Sequence, residues 1–524
     1  MEDSIPSPGT IRRTFNIKYN KQVVMKPIKG TPGVHAQVHK SRNCLSGLRT
    51  PDRYDGLLAI GVILYAVIFS YLSLFRYNTF QLEYDLAVFN QALWNTVMHG
   101  ELLTNSLEQV AHSMAIGSHM GVHFSPILFS LVPFYLISPS SHTLLIAQSV
   151  LLALGAVPIY FCGREILGKG AGCIIAFTYL IYPPLHGVNL YDFHEVAFLP
   201  VLMGFVLWGY VSGKRNMMLL FALLALLVKE DVSIIIFMIG LVGMYQTRNE
   251  SLSSRWHFLV LMIMSVLTLL IFFLVIHPYF IPSAPIGSSG FLQQYMDPVH
   301  SATQHSSYRF DYILKAFTPL LFVPLLAPEL LLISIPSFIE ILFSGSIYYS
   351  VWFHYSALII STLFIATIIG LSRIRSWEGT VKKNVYTPVL CLILISSLIC
   401  LGLFSPAAEM VLFKGTYNEA ALDEHREYIE RVISVIPQEA SISTQYNLLP
   451  MVSSRKMIWV DYQDGADIVL LDNAFEWRAK DFTDNQKSIT EEYELILEEN
   501  YVSLYVNKNN PSLLSELSRR VSSL

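Results

Sequence analysis

The chain has 524 residues, 53% of them apolar and only 14% charged, against roughly 25% charged in soluble domains. With the apolar residues gathered in long runs, this excludes a soluble enzyme and describes a polytopic membrane protein. The net charge of −4 averages a basic start and an acidic end. The basic start has no aromatic platform or fold around it, which argues against a nucleic-acid partner. The five cysteines are scattered without a Cys-x-x-Cys pair, so neither a disulfide framework nor a thiolate metal site is indicated.

Residues 1–54 read as a disordered, basic, cytosolic tail rather than a signal peptide, because the first apolar run starts late and no cleavage pattern follows it. Leu57–Leu74 is the first predicted span. Lysines and arginines then set the orientation, with the N-terminus inside. Leu144–Phe161 returns inward to Arg164 and Lys169; Gly172–Leu185 goes out, and Val196–Val211 returns to Lys214 and Arg215. Met217–Val228 and Ser233–Tyr245 form the next pair, ending at Arg248. Phe258–Ile276 leads into a long polar loop, Pro278–Arg309. Tyr312–Leu326 and Leu330–Phe343 read as a hairpin, Val351–Leu371 returns inward, and Pro388–Phe404 exits last. The total is about eleven spans. Val122–Ile137 is apolar too, but counting it would invert every later loop, so it is placed in-plane or re-entrant within the outer loop 76–140.

The predicted domains are therefore the tail (1–54), a transmembrane domain (55–405) and an extracytosolic α/β domain (406–524). In the last, Glu419–Ile436 has the period of an amphipathic helix. Ser441–Thr444, Met457–Val460, Ile468–Leu471 and Tyr501–Val506 are strand-like, and Ile489–Glu499 reads as an acidic helical stretch.

The stretch Phe80–Asn95 (FQLEYDLAVFNQALWN) organises the rest. Leu86, Phe89, Leu93 and Val97 fall on one helical stripe, while Asn90, Gln91 and Asn95 lie mostly off it. That pattern suits a helix lying along a membrane surface, with Glu83 and Asp85 at its N-terminal end, where the helix dipole favours negative charge. Other polar residues beside apolar runs collect on the same outer side: His119 and His123; Asp192, His194 and Glu195; Lys229, Glu230 and Asp231; and His354. Three consecutive charges between apolar runs are disfavoured unless they meet a water-filled boundary. His119 and His123, spaced i and i+4, also have the spacing of divalent-metal ligands on one helix face. Each set has a plainer reading as loop acids, packed histidines or a self-neutralising helix end. Tyr348, Tyr349, Trp352 and Tyr355 read as an interfacial aromatic belt.

YDLAVFNQALWN (84–95), HFSPILF (123–129), NLYDFHEVAF (189–198), KEDVS (229–233), VIPQEASIS (435–443) and ADIVLLDN (466–473) together resemble the prokaryotic membrane-protein family called domain of unknown function 2079. That family in turn is similar to the GT-C glycosyltransferases. The resemblance implies a mainly α, GT-C-like helical membrane fold in the cell membrane and a polyprenyl-phosphate-linked sugar as partner. It further implies a Glu-x-Asp pair in the first outer loop, here Glu83-Tyr84-Asp85, with Asp85 matching the catalytic carboxylate. No WWD-type acceptor motif is present.

On this reading the chemistry is inverting sugar transfer on the extracytosolic side, with Asp85 as base. Lys229, helped by His123 or His194, would balance the lipid phosphate, and Glu195 or Glu230 would orient those cations. A divalent ion is a further expectation. The competing classes are a transporter or lipid flippase, whose charges would line a path between repeats, and a non-catalytic membrane protein.

Overall fold

The computed structural model describes residues 52–114, 116–282, 306–343, 348–381, 383–414, 419–478 and 480–522. The predicted tail lies outside them except for its last three residues, as does most of the predicted loop Pro278–Arg309. Helix α1 (Arg53–Asn78) starts at a reciprocal cap. The Asp52 carboxylate accepts from Tyr54 and Asp55 N–H, while the Asp55 carboxylate accepts from Asp52 N–H. The outer loop then carries α2 (Tyr84–His99), α3 (Ser106–Ala111), α4 (His119–Val122) and the short apolar helix α5 (Pro126–Ile137).

By length and composition, six helices of the described residues suffice to cross a bilayer. These are α1, α6 (Ser141–Ile166), α9 (Glu195–Ser212), α12 (Leu252–Phe280), α14 (His354–Glu378) and α15 (Tyr386–Phe404). The predicted single span Gly172–Leu185 is instead a pair, α7 (Lys169–Leu180) and α8 (Pro183–Leu190), bent by 46°, which would make a seventh. The break sits at Tyr182, whose extended backbone (φ −76°, ψ 118°) is what the following proline imposes. Helices α10 (Arg215–Ala225) and α11 (Val232–Gln246) are apolar but shorter. The predicted hairpin over 312–343 is a series of short pieces after α13 (Ser306–Phe317), broken at Pro319, Pro324, Pro328 and Pro336. The count of about eleven spans is thus not reached by helices of full length.

The C-terminal region folds as a five-stranded sheet in the order β2-β1-β3-β5-β4. β1 (Ile442–Thr444) pairs in parallel with β2 (Ile458–Val460) and β3 (Ile468–Asp472), while β5 (Val502–Asn507) runs antiparallel to β3 and β4 (Tyr493–Glu499). The predicted acidic helix over 489–499 is a correction: helix ends at Glu492 and β4 follows. Acidic residues mark its exposed positions, but Tyr493 and Leu495 pair with β5 across a short hairpin, and tertiary pairing outweighs helix propensity there.

Helices α16 (Glu419–Val435) and α17 (Pro511–Val521) supply Ile429, Val432 and Leu517 to the core over this sheet, together with Ile442, Ile468 and Leu504. Phe80, Ala87, Val88 and Leu107 of the outer loop join the same core. Helix α2 is therefore not a membrane-surface helix with a wet flank. Asn90, Gln91 and Asn95 are buried, and their carboxamides are used. Asn90 Nδ2 donates to Ser453 Oγ (2.8 Å), and Gln91 Nε2 donates to the carbonyls of Arg455 and Lys456 (both 3.0 Å). The off-stripe polar residues mark a protein interface, a use of polarity that periodicity alone does not separate from exposure to water.

Candidate active site

One face of α2 meets the α/β domain, and the other helps to line a cavity of about 490 Å³. Asp85, His119, His123, His194, Glu195, Lys229, Asp231 and His354 all line it. Eight of the predicted site residues are thus brought together from five separate stretches of chain, while Glu83, Asp192 and Glu230 are not on its wall.

Asp85 lies in the first turn of α2. Its Oδ2 accepts a hydrogen bond from the Tyr191 hydroxyl at 3.2 Å and stands 3.4 Å from His194 Nε2. His194 Nδ1 faces the Asp192 carbonyl at 3.2 Å and Nε2 faces Asp85; both partners only accept, so the neutral ring donates to one of them and the imidazolium to both. The imidazole is stacked on His354, with centroids 3.6 Å apart. The segment that carries His354 reaches this position by close approach to α8, where a Cβ on Gly187 would fall 1.7 Å from the Val351 carbonyl oxygen. Only glycine fits there.

Asp192 plays another part. Its carboxylate accepts the backbone N–H of Glu83 (3.1 Å) and Leu86 (3.2 Å), serving as an N-terminal cap for α2 from outside the helix. Glu83, expected to share the catalytic work, occupies the cap position itself without a side-chain capping bond. Burial first, then the neighbouring Asp85 charge, pushes the Asp192 carboxyl up to about 7.

Two histidines are held by carboxylates. Glu108 Oε1 lies 2.9 Å from His119 Nδ1, and Glu230 Oε1 lies 2.9 Å from His123 Nδ1. Glu230 also accepts Phe124 N–H, and Glu108 accepts from Asn105 Nδ2. Burial alone would raise Glu108, but the His119 charge and hydrogen bonds outweigh it and hold the carboxyl below its ordinary value. The same contact holds the buried His119 above its ordinary value, against the desolvation that would lower it.

Each Nδ1 of His119 and His123 is taken by a carboxylate, and the ring centroids are 5.8 Å apart. Among the described residues no three His, Cys, Asp or Glu side chains stand so as to hold an ion.

Lys229 Nζ is 3.6 Å from Asp231 Oδ2 at the head of α11. Five of the residues that line the cavity carry a buried atom without a hydrogen-bond partner: His119 Nε2, Glu195 Oε2, Asp231 Oδ1, His277 Nε2 and His354 Nδ1. Leaving one such group unmet costs about 1–3 kcal/mol, so their gathering at one cavity calls for water or a ligand to meet them there.

Glu108, His112, His277, Glu340, Tyr348 and Tyr355 also line the cavity and were not among the predicted site residues. Asn105-x-x-Glu108 is a helix-start pattern, with Asn105 Oδ1 accepting Glu108 N–H at 2.7 Å, and would have placed Glu108 at a buried helix entry. Tyr348 and Tyr355, assigned to an interfacial belt, instead stack on each other at 3.9 Å. Nothing in the local sequence separates those two roles.

Solved structures share this architecture. ArnT from Cupriavidus metallidurans bound to undecaprenyl phosphate is 12% identical with a TM-score of 0.55, over 86% of this chain and 98% of that one. Its apo form gives 0.51, also at 12% identity, over 87% and 98%. The archaeal oligosaccharyltransferase AglB from Archaeoglobus fulgidus, in complex with an inhibitory peptide and a dolichol-phosphate, gives 0.44 at 11% identity, over 86% and 74%. The likeness to ArnT establishes a GT-C-like helical membrane fold. Among proteins of curated function none matches the chain. A family model described as "Predicted membrane protein (DUF2079)" matches residues 76–506, and the chain belongs to that family.

Proposed function

We propose that this protein is a membrane glycosyltransferase that takes a sugar from a polyprenyl-phosphate donor by a single inverting displacement. The observation that carries the reading is the meeting of Asp85, His194, His123 and Lys229 on one cavity wall. The fold supports it, since ArnT binds a polyprenyl phosphate on the same architecture.

Asp85 accepts the proton of an acceptor hydroxyl as that oxygen bonds to the anomeric carbon. The anomeric carbon–oxygen bond to phosphate breaks on the opposite face, and its electron pair leaves with the phosphate. The leaving phosphate gains a negative charge in that step, so Lys229 and a protonated His123 favour the transition state over the bound donor. Tyr191 and His194 fix the Asp85 oxygen that they touch, and stacking on His354 holds the His194 ring.

The test is direct. Purified full-length protein is given a panel of undecaprenyl-phosphate sugars with membrane lipids or peptidoglycan precursors as acceptors, and mass spectrometry follows the release of undecaprenyl phosphate. Release from at least one donor supports the reading. A cavity that binds these lipids and never turns them over speaks for the transport class instead.

A further inference from the structure

The cavity wall is not uniform, and its buried part points to a ligand group different from phosphate. We infer that Glu195, Asp231 and His277 form a glycosyl subsite that receives the hydroxyls of a neutral sugar and refuses a uronic acid. This rests on the transferase reading and narrows its donor.

The argument is one of donors and acceptors. Glu195 and Asp231 are 1% and 4% exposed, and one carboxylate oxygen of each is buried without a partner. An ionised carboxylate only accepts hydrogen bonds. His277 Nδ1 lies 2.8 Å from the Gly121 carbonyl, so Nδ1 carries the proton of the neutral ring and the unpartnered Nε2 presents a lone pair. Three unpartnered acceptors therefore sit on residues that line the cavity and call for O–H or N–H donors.

A phosphodiester brings none, and its charge would meet two carboxylates. A sugar ring brings several hydroxyls, each able to donate to the wall and to accept from a protonated His119. The phosphate is left to the cations, Lys229 and His123, of which His123 is the more solvent-exposed. A uronic acid would set a third carboxylate against Glu195 and Asp231 in a site shielded from water, where like charges repel strongly.

The experiment measures binding of undecaprenyl phosphate, its glucosyl, mannosyl and galactosyl esters and its glucuronosyl ester to the full-length protein in nanodiscs. At least one neutral glycosyl lipid is expected to bind about tenfold tighter than the bare lipid, and the glucuronosyl lipid no tighter. Glu195→Gln and, separately, Asp231→Asn are expected to erase that advantage, read as the ratio of glycosyl-lipid to bare-lipid affinity, because Asp231 also stands 3.6 Å from Lys229 and its loss changes the hold on the phosphate itself. Equal affinity across the panel, or variants that weaken bare and glycosylated lipid alike, would overturn the subsite. The panel on the unaltered protein decides the matter even if a variant does not fold. If no lipid phosphate binds at all, the transferase reading falls, and methyl glycosides of the same sugars at millimolar concentration then judge the wall alone. Thermal stabilisation by a neutral glycoside and not by the glucuronide keeps the subsite; no stabilisation by any of them sinks it.

Discussion

The Tyr191 hydroxyl donates to Asp85 Oδ2 across 3.2 Å, joining residues 106 positions apart in the chain. The contact holds the carboxylate in one orientation at the cavity mouth, where its side chain is 32% exposed, and a base must be both fixed and reachable. Asp85→Asn keeps the shape and loses the basicity. It is expected to lower turnover by about 10²–10⁴-fold with undecaprenyl-phosphate binding and melting temperature unchanged. Turnover near that of the parent protein would remove Asp85 from the base role.

Much of this arrangement was legible from residue type alone. Charged residues wedged between apolar runs have few stable places, so NLYDFHE and LVKEDV imply a wet boundary. The partners of those residues were not legible. Glu108 holds His119 from eleven positions upstream, and Asp192 caps α2 from 106–109 positions away, pairings that depend on tertiary approach. The burial of Asn90 and Gln91 is hidden from the sequence for the same reason, since a carboxamide that meets another domain looks like one that meets water. Span lengths were overestimated where prolines divide apolar runs, because hydropathy records composition and not the bend at Tyr182.

Lys229→Gln tests the phosphate end of the site. Removing the cation is expected to weaken bare and sugar-bearing undecaprenyl phosphate alike, by about tenfold or more, since a hydrogen bond to a charged group contributes about 1.5–3 kcal/mol. Equal loss on both lipids is the signature that separates this position from Glu195. Unchanged lipid affinity would place the phosphate elsewhere.

The joint between the outer loop and the α/β domain depends on Ser106. Its Oγ donates to the Ile458 carbonyl (2.6 Å) and accepts the Ile458 N–H (2.9 Å) in a buried setting. Ser106→Val leaves both backbone groups unmet and is expected to destabilise the protein by about 1–3 kcal/mol, read as a lower melting temperature. Ser106→Thr, which keeps the hydroxyl, should lose less. A valine variant as stable as the parent would show that the domain is held without this contact.

Asp192 gives a pH prediction. Its folded-state carboxyl lies at about 7, above the ordinary 3.8, so the fold binds this proton more tightly than the unfolded chain does. Its contribution to stability is therefore greatest below pH 4 and declines as the pH rises to about 7, beyond which it changes no further. Asp192→Asn removes the titration. The stability difference between parent and variant, followed by thermal melting from pH 4 to 8, should shift toward the variant across that window. A difference that stays constant with pH would mean that Asp192 titrates alike in both states.

The side of the membrane is the last condition on the whole reading. Because α2 contributes to the cavity and to the core of the α/β domain, the cavity and that domain belong to one compact unit. By the positive-inside rule, the loops rich in lysine and arginine are expected in the cytosol, at the other ends of the helices. In a cysteine-free background, Lys487→Cys, on a side chain 89% exposed, should react with a membrane-impermeant maleimide in intact cells, since the α/β domain is expected outside. Arg248→Cys, in the exposed turn after α11, should react only after permeabilisation. The reverse pattern would open the cavity to the cytosol and rule out an extracytosolic transfer, whatever Asp85→Asn does to turnover.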